Sequence, residues 1–321
     1  MKAIVHKQYG PPDVMRLVEI EKPTPSDNQV LVKIHAASVN ALDWHLLTAD
    51  IFLVRLSMGL FRPKNPVRGA DIAGRVEAVG RNVTKFKPGD EVFGDIAHGG
   101  FAEYALASEH VLVLKPSNLS FEQAAAVPVA ALTALQGLRD VGKIQAGQEV
   151  LINGAAGGVG TFAVQIAKAF GAEVTAVCST RNLEQARALG ADHVIDYSKE
   201  NFTESGQRYD LIFAANGYHP LAAYKRVLKP RGIYVMAGGT SKQIFDAVLF
   251  GGLMSEKDGR KMTNFMAESK PEDLQTLREM SEAGKIVPVI DKRYPLEQTP
   301  EALRYLGSGH ARGKVIVTVA D

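Results

Sequence analysis

The stretch Asn153-Gly154-Ala155-Ala156-Gly157-Gly158-Val159-Gly160 decides the fold of this chain. It follows an apolar, strand-like run from Glu149 to Asn153 and opens a helix that we predict from Val159 to Phe170. Glycines in such a turn permit a tight bend, close approach of the backbone to a pyrophosphate, and close packing of the helix on the strand. Because the N-terminus of a helix offers unpaired N–H groups and a positive dipole end, the turn predicts a dinucleotide-binding site.

The turn departs from the G-x-G-x-x-G pattern at its first position, where Ala155 replaces glycine. A glycine-rich turn is a weak indication by itself, but strands and helices alternate regularly after it. The predicted elements are Val174–Cys178, Leu183–Leu189, Val194–Tyr197, Leu211–Ala215, Pro220–Leu228 and Ile233–Ala237. This alternation indicates βαβ units and a Rossmann-type, doubly wound parallel sheet in an α/β protein.

The residues before this region have a different texture. Short β-branched runs are bounded by turn signals such as Pro88-Gly89-Asp90, and helical periodicity is scarce, so we predict a β-rich, partly barrel-like domain over residues 1–122. The cofactor-binding domain is predicted over residues 123–268. It begins near the start of an alanine-rich helical stretch from Phe121 to Val141. Residues 269–321 end in a β-prone strand, Lys314–Val319, that we expect to return to the first domain.

Composition narrows the class of protein. The 321 residues suffice for two domains, and 37 basic against 35 acidic side chains argue against a broad surface for nucleic acid. Cys178 is the only cysteine, so no internal disulfide can form, which fits a reducing compartment. The N-terminus lacks the apolar core of a signal peptide, and the longest apolar stretch, Ala124 to Leu135, is too short to span a bilayer. We therefore expect a cytoplasmic protein without membrane insertion.

The choice of cofactor depends on the end of the second predicted strand. An NAD site usually places Asp or Glu there to bond the ribose 2′-hydroxyl. This chain instead has Ser179-Thr180-Arg181-Asn182, and Glu173 stands at the opposite end of the strand. Arg181 can pair with a 2′-phosphate, with the other three as neutral donors, which favours NADPH. The alternative is that the four residues only cap the following helix.

Further motifs recur in order along nearly the whole chain. They are Ser38-Val39-Asn40 with Asp43-Trp44, Gly69-Ala70-Asp71-Ile72-Ala73-Gly74, Val79-Gly80, Phe86-Lys87-Pro88-Gly89-Asp90, Gly100-Phe101-Ala102-Glu103-Tyr104, Ala155–Gly160, Leu189-Gly190-Ala191-Asp192 and Ile195-Asp196-Tyr197. Together they resemble the medium-chain dehydrogenase/reductase superfamily and, within it, the zinc-free quinone and enone reductases. The resemblance implies a GroES-like catalytic domain beside the Rossmann domain, an active site in the cleft between them, and a homodimer. It also implies hydride transfer from NADPH to a small hydrophobic carbonyl compound or quinone.

Residue types argue against a metal. The zinc-dependent branch needs a Cys in the segment occupied by Ser38-Val39-Asn40 and a His around Gly69-Ala70-Asp71. A catalytic zinc needs about three protein ligands, and a structural site would need four cysteines where this chain has one. No two of the nearby histidines stand in ligand spacing: His35, His45 and His98. We predict that neither zinc site exists.

Three residues are candidates for catalysis. The resemblance places Asn40 near the nicotinamide, where its amide can donate to the substrate oxygen or the cofactor. His45 stands where related enone reductases often carry Lys, and it either donates a proton to the enolate or packs beside Trp44 without a role. Asp43 either orients His45 or Asn40, or it caps a turn.

Other cofactor contacts follow from the resemblance. They are Thr133 near the nicotinamide, Tyr197 near the adenine, Asn216 and Gly238-Gly239 at strand ends, and Arg312 and Lys314 near the phosphates. The apolar stretch Ile51–Phe61 is expected to form either a lid over the substrate or a core helix.

Two other functions stay open at this point. A metal-free enoyl-thioester reductase would use the same chemistry on a larger substrate, but no concentrated basic run is present to bind its phosphates. The second is a non-catalytic NADPH-binding sensor or scaffold. The retained Asn40 and the apolar stretch Ile51–Phe61 argue against it.

Overall fold

A computed structural model gives the fold and describes residues 1–50, 55, 59–239 and 258–319. The chain forms two compact units. The first comprises Met1–Val129, Ser269–Gly284 and Pro288–Asp321, and the second comprises Ala130–Glu268 and Lys285–Val287. The chain thus passes between the units at 129/130, 268/269, 284/285 and 287/288, where the sequence predicted boundaries at 122/123 and 268/269.

The secondary structure alternates as predicted after residue 148. The strands are β1 Lys2–His6, β2 Met15–Glu19, β3 Gln29–Val39, β4 Asp71–Val79, β5 Glu91–Asp95, β6 Tyr104–Ser108, β7 Leu112–Leu114, β8 Glu149–Asn153, β9 Glu173–Cys178, β10 His193–Asp196, β11 Tyr209–Ala214, β12 Leu228–Met236, β13 Lys261–Asn264, β14 Ile290–Pro295 and β15 Lys314–Thr318. Among the described residues the α-helices are α1 Ala41–Thr48, α2 Phe121–Ala125, α3 Pro128–Gln136, α4 Gly158–Ala169, α5 Leu183–Ala188, α6 Leu221–Arg226, α7 Pro271–Glu282 and α8 Thr299–Gly307.

The second unit is built on a parallel sheet with the strand order β10-β9-β8-β11-β12-β13. Its central strand β8 is buried from Val150 to Asn153, as expected for a strand covered on both faces. The register sets Asn153 opposite Val177 and Ala214, and Asp196 opposite Cys178, so the strands end at a common edge. This order confirms the predicted doubly wound sheet, in which ligands bind beyond the carboxyl ends of the strands.

The first unit is built on a mostly antiparallel sheet with the order β14-β15-β3-β4-β5-β7, and β6 also pairs with β3. Inward-facing residues of these strands form one apolar core, with α1 and α8 packed against each other. The last strand returns as predicted: Val315 pairs with Val39. That register brings Lys314 next to the start of α1, which positions the polar residues described below.

The alanine-rich stretch from Phe121 to Val141 is not one helix. Ser120 caps α2 by accepting from the Gln123 N–H, α3 starts afresh at Pro128, and a π-helical turn covers Gly137–Val141. A proline disfavours the helical conformation of the residue before it, so Pro128 explains the break between α2 and α3. None of the helices within the described part of the chain is long and apolar enough to cross a membrane.

Candidate functional site

The glycine-rich turn joins β8 to α4 at the carboxyl edge of the parallel sheet. Gly154 has φ +81°, and a Cβ there would lie 2.7 Å from the backbone nitrogen of Asn216. A Cβ on Gly160 would lie 2.1 Å from the carbonyl oxygen of Gly154. Both positions therefore require glycine, the first for its left-handed backbone as well as its close packing. Ala155 is buried without positive φ, so its methyl group introduces no backbone strain.

The N-terminus of α4 is suited to an anion. Gly157 is the N-cap residue, and no side chain caps the helix. The N–H of Thr161 reaches the Gly157 carbonyl oxygen at 2.9 Å, and the N–H groups before it have no intrahelical partner. These amides and the helix dipole favour a phosphate at this position. The predicted residues of the turn lie together here: Gly154, Ala155, Gly157, Gly158, Val159 and Gly160.

The residues after β9 form a short 3-10 turn. Asn182 is buried, and its side-chain Nδ2 donates to the Ser179 Oγ at 3.1 Å. Its backbone N–H donates to the Ser179 carbonyl oxygen at 2.9 Å. These contacts hold the turn, whereas Arg181 and Thr180 are exposed. Arg181 therefore has the position from which a guanidinium can meet a ribose phosphate.

Asp196, at the end of β10, was not among the predicted site residues. Its carboxylate accepts from the Thr180 hydroxyl, and from the backbone N–H and hydroxyl of Ser198 at 3.1 and 2.7 Å. The hydrogen bonds from Thr180 and then Ser198 lower the pKa of Asp196 to about 2. The sequence signal was its position at a strand end, but only the pairing of β10 with β9 shows that it meets Thr180.

A cavity of about 400 Å³ opens at the same edge of the sheet. It is lined by Asn153, Gly154, Tyr197, Glu200, Asn201, Phe202, Asn216, Gly217, Tyr218 and His219. One wall is fixed from behind by Tyr224, whose hydroxyl accepts from the Asn153 Nδ2 at 2.7 Å and donates to the Gly217 carbonyl oxygen at 2.9 Å. Burial raises the pKa of Tyr224, so this hydroxyl stays protonated. The structure thus brings the predicted residues Gly154, Tyr197 and Asn216 together around one cavity.

Three other predicted residues of the second unit lie on separate elements. Gly238 follows β12, and a Cβ there would lie 2.7 Å from the Ala215 carbonyl oxygen, which places it at the same edge as Asn216. Gly239 has φ +129°. Thr133 is half-buried on α3.

A buried polar network surrounds Asn40 in the first unit. The Lys314 ammonium donates to the Asn40 Oδ1 at 2.6 Å and to the Asp71 Oδ2 at 3.2 Å. The Asn40 Nδ2 donates to the same carboxylate oxygen at 2.9 Å, and the Ser38 hydroxyl does so at 2.7 Å. The other oxygen of Asp71 accepts from the Val129 N–H at 2.9 Å. The contacts fix both ends of the Asn40 amide and leave one N–H of its Nδ2 for another acceptor.

Lys314 was predicted near the cofactor phosphates, and the structure gives it different partners. Its side chain is 3% exposed and that of Asp71 is 0% exposed, so the two form a buried ion pair. Arg312 is half-buried, and its backbone N–H donates to the Asp291 carboxylate at 2.8 Å. The phosphate contacts of Arg312 and Lys314 stay predictions, and the geometry assigns Lys314 to Asn40 and Asp71.

Asp43 contacts backbone rather than His45. Its Oδ2 accepts from the Asn40 N–H at 2.9 Å, and its Oδ1 accepts from the Gly69 N–H at 3.2 Å. Burial, with a further contribution from the charge of Asp71, raises the pKa of Asp43 to about 7. Of the roles open to it, these contacts favour the capping of α1 together with the positioning of Asn40.

His45 is oriented by a residue that the sequence did not single out. Its Nδ1 lies 2.9 and 3.0 Å from the two carboxylate oxygens of Asp50, just beyond the end of α1. The side chains of His45 and Asp50 are 18% and 35% exposed. With its Nδ1 engaged by a carboxylate, the ring presents its Nε2 for other contacts. The neighbouring Trp44 packs instead on Gly307 of α8.

Two segments of the chain match known domain families. Residues 26–117 match the alcohol dehydrogenase GroES-like domain, and residues 189–317 match the zinc-binding dehydrogenase family. The chain is 36% identical to a 2-methylene-furan-3-one reductase of Solanum lycopersicum, over 99% of this chain and 79% of that protein. An NADPH-dependent alkenal/one oxidoreductase of Arabidopsis thaliana, named as chloroplastic, is also 36% identical, over 99% of this chain and 79% of that protein.

A solved quinone oxidoreductase from Coxiella burnetii is 32% identical, with a TM-score of 0.86, over 100% of this chain and 99% of that one. This chain belongs to the medium-chain dehydrogenase/reductase superfamily, in its quinone and enone reductase branch. Membership confirms the predicted combination of a GroES-like domain with a Rossmann domain. It also supports a nicotinamide cofactor for this superfamily member.

Two predictions about this reductase concern the metal and the lid. The second matched family is named for zinc binding. No group of three or more His, Cys, Asp or Glu side chains is placed to hold a metal ion within the described residues 1–50, 55, 59–239 and 258–319. Most of Ile51–Phe61, the predicted lid or core helix, lies outside the described residues.

Proposed function

We propose that this protein transfers a hydride from NADPH to a quinone or to the activated C=C bond of an enone or alkenal. The observation that carries the proposal is the glycine-rich turn, which opens onto a cavity of about 400 Å³ at the carboxyl edge of the sheet. The relatives named as enone, alkenal and quinone reductases support the substrate class.

The residues at this edge fit a dinucleotide. A Cβ at Gly154 or Gly160 would collide with the protein's own backbone, so both glycines permit the tight turn and close packing that a dinucleotide-binding turn requires. Tyr197, which is 61% exposed on the cavity wall, is our candidate for packing against adenine. We assign the 2′-phosphate to Arg181, because the Thr180 hydroxyl already donates to Asp196. When bound, NADPH supplies the hydride and the protein supplies position and electrostatics.

Asn40 is our candidate for the substrate end. During reduction of a conjugated carbonyl, negative charge develops on the carbonyl oxygen, and a fixed N–H donor stabilises it. Lys314 holds the Asn40 Oδ1, so the amide cannot flip and its free Nδ2 hydrogen keeps one direction. Lys314 and Asp71 are positioning residues in this scheme, because they act through Asn40.

His45 is our candidate for delivering the proton that completes the reaction at the α-carbon. The Asp50 carboxylate accepts from the Nδ1–H and orients the ring. When both ring nitrogens carry a hydrogen, the Nε2–H is the proton to be donated. The same arrangement of carboxylate, ring and free Nε2 orients histidines that act as acids and bases in other enzymes.

The test is the loss of NADPH absorbance with a panel of enones, alkenals and quinones, run in parallel with NADH. We expect turnover on at least one member of the panel and a clear preference for NADPH. Turnover with equal use of NADH would overturn the assignment of Arg181. Confirmed NADPH binding without turnover on any member would instead support a larger substrate or a non-catalytic role.

We propose in addition that the enzyme needs no zinc, forms a homodimer and is cytoplasmic. The absence of the early Cys and of clustered cysteines from the sequence supports the first point. Metal analysis of purified protein, light scattering after size exclusion, and cell fractionation test the three points. Stoichiometric zinc, a monomer, or recovery in an organelle such as the chloroplast named for one relative would each refute the corresponding statement.

A further inference from the structure

Arg68 is a buried cation without a counter-charge in hydrogen-bond contact. Its residue is 0% exposed, and it is among the largest fully buried side chains of the described chain. Its Nε donates to the His6 Nε2 at 2.8 Å. Among the residues that the structure describes, both terminal nitrogens, Nη1 and Nη2, are buried and have no hydrogen-bond partner. A buried guanidinium in this state is costly unless something else satisfies it.

His6 does not provide the missing charge. Its Nδ1 lies 3.2 Å from the Gln8 carbonyl oxygen, so this nitrogen carries the hydrogen and the Nε2 is the acceptor for Arg68. Burial and the charge of Arg68 lower the pKa of His6 to about 4, and the hydrogen bond to Gln8 opposes them. His6 is therefore a neutral partner at neutral pH.

Asp43 does not bond to the Arg68 guanidinium either. Its charge is close enough to raise the pKa of Arg68, but its two oxygens accept from the backbone N–H groups of Asn40 and Gly69, and neither meets a terminal nitrogen of Arg68. His98 is a second histidine whose pKa is lowered by burial and then by the charge of Arg68. The groups around Arg68 are thus neutral, basic or already engaged.

A second guanidinium adds to the positive charge. The Cζ of Arg55 lies 5.3 Å from the centroid of the Tyr9 ring, and Tyr9 also interacts electrostatically with Arg68. The Nε of Arg55 is buried and, like the terminal nitrogens of Arg68, has no partner among the described residues. The Tyr9 hydroxyl donates to the Gly59 carbonyl oxygen at 2.7 Å and keeps a lone pair. Two arginines with unsatisfied donors therefore both interact with Tyr9.

We propose that Arg68 binds a small monoanion of carboxylate or halide type inside the first unit. The planar guanidinium offers two terminal nitrogens in the geometry that a carboxylate accepts in bidentate fashion. The anion supplies both the missing acceptors and the missing negative charge. It comes either from solution or from a carboxylate group on the substrate. Only the second source rests on the proposed function.

The free ion is tested without turnover. Thermal unfolding is followed at increasing sodium formate or sodium chloride, with ionic strength kept constant by a bulky sulfonate buffer salt. For the wild type we expect a saturable rise of several degrees, since a ligand that binds only the folded state stabilises it by mass action. Arg68→Met should lose the saturable part, and Arg68→Lys should weaken it, because a single ammonium lacks the two-nitrogen fork.

The matched control is Arg75→Met on β4, which removes an exposed arginine paired with Glu91. It should keep the full anion response. Chloride NMR with the wild type needs no variant and so does not depend on whether a variant folds. We expect the protein to broaden the chloride resonance and formate to reverse the broadening. No saturable effect of either anion on the wild type, or an equal effect in Arg68→Met, would overturn the proposal in favour of water or an apolar environment at Arg68.

The source of the anion is decided by kinetics. A carboxylate-bearing enone and its methyl ester are compared as substrates, with formate as an inhibitor. Competition by formate against the acid but not the ester, together with at least a tenfold rise in KM for the acid in Arg68→Met, assigns the site to the substrate. Saturable stabilisation by formate without any competition assigns it to a free ion. Failure of every substrate would refute the proposed function and leave the unfolding result intact.

Discussion

Replacing Lys314 by Met tests whether its ammonium serves the protein interior or the cofactor. The ammonium lies 2.6 Å from the Asn40 Oδ1 and 3.2 Å from the Asp71 Oδ2, in a network where Lys314 and Asp71 are 3% and 0% exposed. Methionine fills a similar volume but leaves the Asp71 carboxylate buried without its counter-charge. Removing one partner of a buried pair costs about 3–5 kcal/mol of the free energy of unfolding.

An exposed pair in the same unit gives the matched control. Lys22 and Glu77 are closer together, at 2.6 Å, but their side chains are 39% and 40% exposed. Surface pairs of this kind contribute about 0–1 kcal/mol, so Lys22→Met should be nearly neutral. The comparison separates the effect of burial from the effect of distance, because the shorter pair is predicted to contribute less.

The assay is urea unfolding at neutral pH, followed by fluorescence. Trp44 is the only tryptophan in the chain, and it packs on Gly307 in the unit that holds Lys314, so its emission reports on that unit. We expect Lys314→Met with Asp71→Asn to be less destabilised than the sum of the single variants, with a coupling of about 2–3 kcal/mol. A loss below about 1 kcal/mol in Lys314→Met, with weakened NADPH binding, would refute the buried role and restore the phosphate contact predicted from sequence.

Three further predictions concern the cofactor, the proton donor and the pH dependence. Arg181→Ala should lower the ratio of kcat/KM for NADPH over NADH by roughly tenfold to a hundredfold, the equivalent of a charge-assisted hydrogen bond, whereas Arg187→Ala on α5 should not; an unchanged ratio would contradict the 2′-phosphate assignment. His45→Ala should lower kcat by about 10²–10⁴ with NADPH affinity retained, and Asp50→Asn should lower kcat less and shift its pH profile; unchanged turnover would exclude His45 as the acid. The pKa of Asp43 is about 7 in the folded state, against an ordinary value of 3.8, so the folded state binds more protons at this group and its contribution to stability falls as pH rises from about 4 to 7. The lowered pKa of His6 contributes a slope of the opposite sign that Asp43→Asn leaves in place, so the variant should gain stability relative to the wild type as pH rises through this window in urea titrations; a constant difference would contradict the prediction.

The parallel sheet was predictable from local sequence. The strand β8 has the bounds that its apolar run and the following glycine indicated, and α4 begins one residue earlier than predicted. Both depend on neighbours a few residues apart, so a linear pattern carries the information. The stretch from Phe121 to Val141 was predicted poorly, because its alanines favour a helix throughout and hide the effect of Pro128.

The polar site was less predictable, because its contacts join distant parts of the chain. Asp71 and Lys314 are 243 residues apart, and only the pairing of β15 with β3 brings them together. Asp196 meets Thr180 for the same kind of reason, through the alignment of two parallel strands. Asp50 is local to His45, but nothing in its residue type distinguishes it from an ordinary surface acid. Sequence therefore predicted the glycine-rich turn between β8 and α4 and left the partners of the candidate catalytic residues open.

The two buried cations of the first unit should respond to removal in opposite ways. Lys314 is neutralised by Asp71, so its loss exposes an unpaired charge and destabilises the fold. Arg68 has only the neutral His6, so in buffer without a small anion its replacement by Met removes an unpaired charge and should not destabilise. Formate should then restore an advantage to the wild type alone. If both variants lost the same stability in both buffers, burial of the side chains and not the balance of charge would govern this interior, and the assigned roles of both residues would fall together.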